Sequence, residues 1–213
     1  MISTFVSQAL VGPARSNLEM PGDGGAPMDL ASYRSAVRAA RERALVAGFA
    51  DAVGDLLANG SADADGAGVI AALRSVASGV DLALSTARPD AYGHRPLWRD
   101  AQTGVSLSVV TLRYGQATEV HDHDGWGCAL VVRGAERERR YAMDPSGELG
   151  LVESRFHAAG DAYVFDVGVI HEVIGRDPIQ ETVALHVLVP FQETNRVSQL
   201  LPEPQRMSLV RAA

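Results

Sequence analysis

Short β-rich segments separated by Gly, Pro and Asp turns fill the chain from residue 105 to residue 189. The first, VSLSVVTLRY (105–114), alternates apolar and polar residues, and CALVVR (128–133) is a short continuous apolar run. Across Gly134 the chain continues with ERERRYAM (136–143), a polar-faced partner. The later segments are LVESRFHA (151–158), AYVFDV (162–167), HEVIG (171–175) and TVALHVLV (182–189). Many short strands with regular turn signals predict an all-β barrel or sandwich.

Helical spacing marks the part of the chain before these segments. From Asp29, a candidate N-cap, apolar residues recur at helical spacing as far as Leu56, and Gly60 is the predicted end of the helix. A second, shorter helix is predicted over 69–76, and RPDAYGHRP (88–96) is the predicted connection into the β region. We therefore expect a helical extension over 1–90, beginning with a linker-like stretch over 1–27, and a barrel over 91–213.

Composition limits the classes of function. The chain has 213 residues, 46% of them hydrophobic, and a net charge of −7, which argues against a nucleic-acid surface. All 19 basic residues are arginines, so Schiff-base chemistry and lysine-dependent phosphate loops are excluded. The single cysteine, Cys128, excludes internal disulfides and thiolate metal clusters. Without a long apolar run or a positive leader, we expect a cytoplasmic protein with no membrane partner.

Two histidines one residue apart stand in front of an apolar run, within EVHDHDGWGCALVVRG (119–134). Because two residues is the repeat of a β-strand, His121 and His123 are predicted to leave the same face of the chain. Two like-facing imidazoles are costly to bury without a shared ion, and a third from a later strand would complete a facial metal site. The pattern alone leaves open whether His171 or His186 is that third ligand.

A family resemblance rests on GQATEVHDHDGWGCALVVRGAERERRY (115–141), AAGDAYVFDVGVIHEV (158–173) and ALHVLVPF (184–191). The chain resembles the cupin-fold thiol dioxygenases, which include cysteine dioxygenase and the mercaptopropionate dioxygenases, over roughly residues 90–200. The resemblance implies a double-stranded β-helix, a jelly-roll barrel, around a non-haem Fe(II) held by His121, His123 and His171. It also implies that the substrates are a small thiol and dioxygen, and that the product is a sulfinate.

Two positions depart from the patterns of related proteins. Most cupins place a metal-binding glutamate four or five residues after the H-x-H pair, where this chain has Gly127 and Cys128. Three neutral imidazoles leave the iron its full positive charge, which suits a substrate that brings its own anion. Cys128 stands where animal cysteine dioxygenases carry a cysteine cross-linked to a tyrosine, but Leu188 replaces that tyrosine. His186, which remains beside it, and Cys128 are the predicted catalytic residues, although Cys128 is equally well interpreted as a small buried hydrophobe.

The resemblance also implies a cation for the carboxylate of the substrate. Arg95, accompanied by Tyr92, lies near the position that cysteine dioxygenases use, and Arg196 lies near the position used by the mercaptopropionate enzymes. Neither arginine aligns without a small shift, and each is also interpreted as a solvated surface residue. Leu188 makes the substrate region more apolar, so these four residues form the predicted substrate-binding set.

Other functions remain open on the sequence. Leu188 is compatible with an oxygenase of specialised metabolism that oxidises and rearranges cysteine, for example to a sulfonamide or an aldehyde. A non-enzymatic metal-binding cupin would keep the histidines without oxygen turnover. Zinc hydrolysis is disfavoured because Asp122 should point away from the imidazoles, although Asp124 could approach if the chain bends. An oligomer is also possible.

Overall fold

The computed structural model describes residues 29–58, 66–79 and 87–190. In these ranges two helices, α1 (Leu30–Ala58) and α2 (Ala67–Ala77), precede eight strands. The strands are β1 (Gly93–Arg99), β2 (Ser106–Leu112), β3 (Gly125–Arg133), β4 (Ala135–Met143), β5 (Leu149–Ala158), β6 (Ala162–Phe165), β7 (Ile170–Gly175) and β8 (Thr182–Pro190). The predicted mainly-β architecture with N-terminal helices is confirmed.

The helices follow the predicted signals closely. Asp29 caps α1, since its Oδ1 accepts hydrogen bonds from the backbone N–H groups of Ala31 (2.8 Å) and Ser32 (3.0 Å). The predicted stop at Gly60 lies outside the described residues, two positions beyond the end of α1. Helix α2 is longer than predicted at both ends. Neither described helix combines the length and the apolarity that crossing a membrane would require.

Strand β1 corrects the sequence analysis, which predicted a connection over 88–96. The strand pairs antiparallel with β2, and the register shifts between Pro96 and Trp98. Because proline and a bulge are tolerated at the edge of a sheet, β1 forms there without a clean two-residue pattern. The segment that carries Arg95 is therefore paired with β2, with Arg95 opposite Val109.

The strands form two antiparallel sheets, one of five strands in the order β1-β2-β8-β3-β6 and one of three in the order β5-β4-β7. The chain passes from β3 in the first sheet to β4 in the second at Gly134, whose φ is +75°. A Cβ at Gly134 would lie 2.9 Å from the Cα of Thr182, so both the conformation and the space require glycine there.

The hydrophobic core lies between the two helices and the five-stranded sheet. Val53 of α1 and Leu73 of α2 are fully buried against a cluster that includes Leu107, Leu185 and Val187. Successive residues of a strand point to opposite faces, so the residues between these core positions face the three-stranded sheet instead. This alternation separates an apolar layer under the helices from the space between the two sheets.

Candidate metal centre

Three of the predicted histidines converge between the two sheets. One ring nitrogen from each of His121, His123 and His171 lies within 4.8 Å of the other two. The ring centroids are 4.7, 4.9 and 5.3 Å apart, and the Nε2 atoms of His123 and His171 are separated by 3.3 Å. The structure therefore brings together the set that the sequence analysis proposed as metal ligands.

The backbone brings these rings together by a route that the sequence analysis did not predict. His121 forms an isolated antiparallel bridge with His171, in which the two residues exchange N–H···O bonds of 2.9 and 2.8 Å. His123 lies outside any strand, and β3 begins only at Gly125. The two rings lie together as predicted, but the two-residue repeat of a strand is not what places them, since His123 is outside the strands. The bridge to β7 positions His121, whereas the backbone oxygen of His123 accepts a hydrogen bond from the N–H of Gly168 at 3.2 Å.

Two of the three imidazole rings are oriented by hydrogen bonds at Nδ1, the ring nitrogen that points away from the other histidines. The Nδ1 of His121 lies 2.7 Å from the backbone oxygen of Glu119, and the Nδ1 of His171 lies 3.1 Å from Oε1 of Glu138. Because a carbonyl and an ionised carboxylate only accept hydrogen bonds, each Nδ1 carries the proton. The lone pair of each ring is then on Nε2, the atom available to a metal.

Burial keeps His121 and His123 in the neutral form that binds metals. Desolvation lowers the pKa of His123 to about 4, with a further contribution from the neighbouring His121 and His171. Desolvation also lowers the pKa of His121. At neutral pH these two rings are therefore uncharged, and their lone pairs face a common centre. Such a set fits a divalent metal of borderline softness, such as Fe(II) or Zn(II).

Glu138 supports the site, and the sequence analysis did not single it out. Its side chain is fully buried on β4 and receives hydrogen bonds from Nδ1 of His171 and Nε of Arg140 (3.0 Å). Nε2 of His157 lies 3.7 Å from its second oxygen. Burial alone would raise the pKa of Glu138, but interactions with His157, His171 and Arg140 lower it below its usual value. A buried anion behind His171 makes this imidazole a stronger metal ligand.

Phe165 occupies the space next to the histidines where a longer side chain on β3 would lie. Its ring centroid is 5.0 Å from those of His123 and His171, and Phe165 pairs with Gly127 in the sheet. A Cβ at Gly127 would overlap the Phe165 ring and lie 2.5 Å from the backbone oxygen of Val187. Position 127 therefore has no room for the glutamate of other cupins while Phe165 keeps this position.

His186 and Leu188 lie on the same face of the five-stranded sheet as Phe165. The Nε2 of His186 is buried and has no hydrogen-bond partner among the described residues. Desolvation lowers the pKa of His186 to about 3, assisted by the nearby histidines of the site. Leu188 packs against the cluster formed by Ala129, Tyr163 and Phe165. The structure thus brings both predicted residues to the neighbourhood of the three histidines.

The structure does not bring Cys128 to this site. Cys128 pairs with Val187, is fully buried, and belongs to the core cluster under the helices. Leu188 pairs with Gly127 instead, so the two positions that the family resemblance connects face opposite sides of the sheet. Burial also raises the pKa of the Cys128 thiol to about 12, which makes this group chemically inert at neutral pH.

Arg95 also faces the helices rather than the histidines. Its Nη1 lies 2.8 Å from Oε1 of Glu42 on α1, in an ion pair with side-chain exposures of 22% and 17%. His94 precedes Arg95 and points to the other side of β1, and its proximity contributes to the lowered pKa of His186. Tyr92 lies just before β1 and is exposed. The fourth predicted substrate-binding position, Arg196, lies outside the described residues.

The chain is similar to known proteins in its sequence and in its fold. The family model described as "Cysteine dioxygenase type I" matches residues 39–199. Among solved structures, the chain is similar to a cupin superfamily protein from Desulfitobacterium hafniense, with 15% identity over 55% of this chain and 88% of that chain and a TM-score of 0.40. A protein from Thermus thermophilus shares 23% identity over 52% of this chain and 94% of that chain, with a TM-score of 0.41. A cupin 2 conserved barrel domain protein from Leptotrichia buccalis shares 13% identity over 50% of this chain and 45% of that chain, with a TM-score of 0.40.

Proposed function

The chain belongs to the cysteine dioxygenase type I family, and on this premise we propose that it is an iron-dependent dioxygenase of a small thiol. The proposed substrate is L-cysteine or a related thiol carboxylate, and the proposed product is its sulfinate. In this reaction the thiol and one dioxygen give the sulfinate and one proton, so both oxygen atoms end on sulfur. The observation that carries the proposal is the set of three imidazoles facing one another with Phe165 beside them.

The three histidines are the proposed ligands of ferrous iron. When bound, Fe(II) supplies a Lewis acid for the thiolate and a redox centre for its oxidation by dioxygen. His121 and His171 are held in the binding orientation by the carbonyl of Glu119 and the carboxylate of Glu138. Because the ligand set is neutral, the anionic charge that balances the metal comes from the substrate thiolate.

His186 is proposed to contact the substrate. Its Nε2 is a buried polar atom without a partner among the described residues, and such an atom gains a hydrogen bond when a polar ligand enters. A pKa of about 3 makes this imidazole a weak base, so we assign it a hydrogen-bonding role rather than proton abstraction. Leu188 and Phe165 form the apolar wall beside it and exclude water from the reacting sulfur.

The carboxylate of the substrate needs a different partner from Arg95, whose guanidinium is bound to Glu42. His94 precedes Arg95 on the same strand and points away from the helices, so we propose it as the group that contacts the anionic end of the substrate. Arg196 remains a second proposed contact. A histidine side chain is shorter than an arginine side chain and binds a carboxylate through one nitrogen instead of two. The preference for thiols with a carboxylate over thiols without one should therefore be modest.

Leu188 supports a second candidate reaction, in which cysteine is oxidised and then rearranged. The wall formed by Leu188 and Phe165 offers no hydroxyl where the family carries a tyrosine, so the oxidised intermediate loses one polar contact. The two reactions consume the same substrates. They differ in the mass of the product.

The decisive experiment loads the purified protein with Fe(II) without oxygen and then measures oxygen uptake together with product mass for a panel of thiols. Uptake of one dioxygen per thiol, with a product heavier by two oxygen atoms, is the expected result. Loss of the carboxylate, or transfer of nitrogen to sulfur, would identify the second candidate. Iron content of the His123→Ala variant, compared with that of the His94→Ala variant, tests the ligand assignment without relying on activity. Bound iron with no uptake for any thiol would refute both reactions and leave a binding protein.

A further inference from the structure

Strand β5 forms one edge of the three-stranded sheet. It runs for ten residues, Leu149–Ala158, and pairs antiparallel with β4 on one side. Within the residues that the structure describes, no strand pairs with its other side. An edge of this length presents a row of backbone N–H and C=O groups that a further strand can bind.

The side chains of β5 are unusually apolar for an exposed edge. Leu149, Leu151, Val152 and Phe156 are 49%, 55%, 63% and 57% exposed, respectively. Solvated edge strands are normally kept short or interrupted by charges, because exposed apolar residues beside a free backbone promote pairing with another chain. The composition of β5 therefore favours a partner strand.

We propose that β5 pairs antiparallel with β5 of a second copy of this chain, about a two-fold axis that passes through Ser154. In this register Glu153 lies opposite Arg155 of the second copy, and the reciprocal pair forms on the other side of the axis. Val152 then lies opposite Phe156, so these two of the four exposed apolar residues of each copy cover one another. A two-fold interface of this kind is closed and yields a dimer rather than a fibre.

Charge complementarity selects this register among the neighbouring ones. An axis through Glu153 would set two glutamates face to face, and an axis through Arg155 would set two arginines face to face. Like charges directly opposite one another destabilise a strand pair, whereas unlike charges stabilise it. In the single chain Glu153 and Arg155 already attract each other, with Nε and Oε1 2.6 Å apart and side-chain exposures of 38% and 46%. The dimer keeps this ion pair within each chain and adds two Glu153–Arg155 ion pairs between the copies.

The same charges give the edge its specificity. Charged residues in an edge strand oppose pairing with an arbitrary strand, which would leave them without a matched partner. A second copy of β5 avoids this cost because its sequence is complementary to itself about Ser154. The register with β4 shifts between Arg140 and Tyr141, opposite Val152, so regular pairing is confined to the short stretch around 152–156. A short ladder predicts a dimer that depends on protein concentration.

Sedimentation measured over a concentration series tests the interface. Glu153→Arg and Arg155→Glu each place like charges across the axis, and each should weaken association at least about tenfold. The double variant Glu153→Arg/Arg155→Glu restores unlike pairs and should recover the dimer. Ile179→Asp is the matched control, because this side chain is 93% exposed outside β5 and its replacement should leave association unchanged. Circular dichroism of each variant verifies that the fold is retained.

Cross-linking tests the position of the axis independently. Ser154→Cys would place two cysteines opposite each other, with Cα atoms about 4.5–5.5 Å apart, within disulfide range. Ala158→Cys would place its two cysteines about 26 Å apart along the strands, too far to link. Under a mild oxidant we expect a covalent dimer from the first variant alone, since Cys128 is buried.

Three results would overturn the proposal. The first is a wild-type chain that stays monomeric throughout the series, the outcome expected if another segment of the chain covers β5. The second is a double charge variant that associates no better than the single variants. The third is equal cross-linking of the two cysteine variants, which would place the contact elsewhere.

Discussion

Replacing Glu138 by Gln should weaken iron binding without removing any metal ligand. Gln keeps an oxygen that can accept the hydrogen bond from Nδ1 of His171, now 3.1 Å long, but it loses the negative charge behind that ring. Loss of such a supporting carboxylate typically lowers metal affinity about 10- to 100-fold, which corresponds to about 1.4–2.7 kcal/mol. The variant also leaves the guanidinium of Arg140 with weaker partners, the backbone oxygen of Val164 at 2.9 Å and a carboxylate oxygen of Glu153 at 3.9 Å.

Glu136→Gln provides the matched control. Glu136 is also fully buried on β4, two residues from Glu138, but its Oε1 accepts a hydrogen bond from the hydroxyl of Tyr163 at 2.8 Å. Burial raises the pKa of Glu136 to about 7, so this carboxyl is about half protonated at neutral pH and a neutral amide removes less charge here than at Glu138. We therefore expect Glu136→Gln to bind iron like the wild type.

Anaerobic iron titration against a competing chelator measures both affinities, and thermal unfolding of the metal-free proteins reports their stabilities. The expected result is a selective loss of affinity in Glu138→Gln. Equal losses in the two variants would show that the effect is general damage to β4. Wild-type affinity in a folded Glu138→Gln variant would refute the argument that the buried charge strengthens His171.

Three further predictions concern residues near the site. Gly127→Ala should destabilise the fold by about 1–3 kcal/mol because its methyl group would overlap the Phe165 ring, whereas Gly150→Ala, whose methyl group would lie 4.0 Å from the backbone oxygen of Ala142, should leave the melting temperature unchanged. Cys128→Ala should retain oxygen uptake, and the wild-type thiol should react with a thiol reagent only after unfolding; loss of uptake would contradict its placement. His94→Ala should raise KM for a thiol carboxylate, whereas Arg95→Ala should lower stability and leave KM unchanged; the reverse pattern would place Arg95 at the substrate.

Local signals were sufficient to predict most of the fold. The cap at Asp29 and the spacing of apolar residues located α1, and β2 to β8 lie within a few residues of the predicted segments. Strand β1 was missed because Pro96 and the shifted register hide the two-residue period. The predicted strands and the missed strand have the same explanation. A sequence pattern reveals a strand only where buried and exposed residues alternate regularly, and a bulge such as that in β1 breaks this alternation.

The candidate site was predicted only in part. The H-x-H spacing and the family resemblance together identify His121, His123 and His171 as candidates. Glu138 and Phe165 were not predicted. An acidic residue in a charged strand and an aromatic residue in a short apolar strand carry no sequence signal that distinguishes a site residue from any other. A recoverable signal was the alternation in ERERR, which requires either the glutamates or the arginines of β4 to face inward.

The amino-acid sequence by itself determined the mainly-β architecture and the candidate pair His121 and His123, because periodicity, turn residues and the H-x-H spacing are local properties of the chain. The third candidate, His171, came from the family resemblance. Tertiary structure decided which side of each strand faces the site. Arg95 and Cys128 lie under the helices, whereas Glu138 and Phe165 lie beside the histidines. Packing against α1, α2 and the opposite sheet determines which face of each strand points to the helices and which points to the site. That choice depends on contacts between residues far apart in sequence, which a local pattern does not contain.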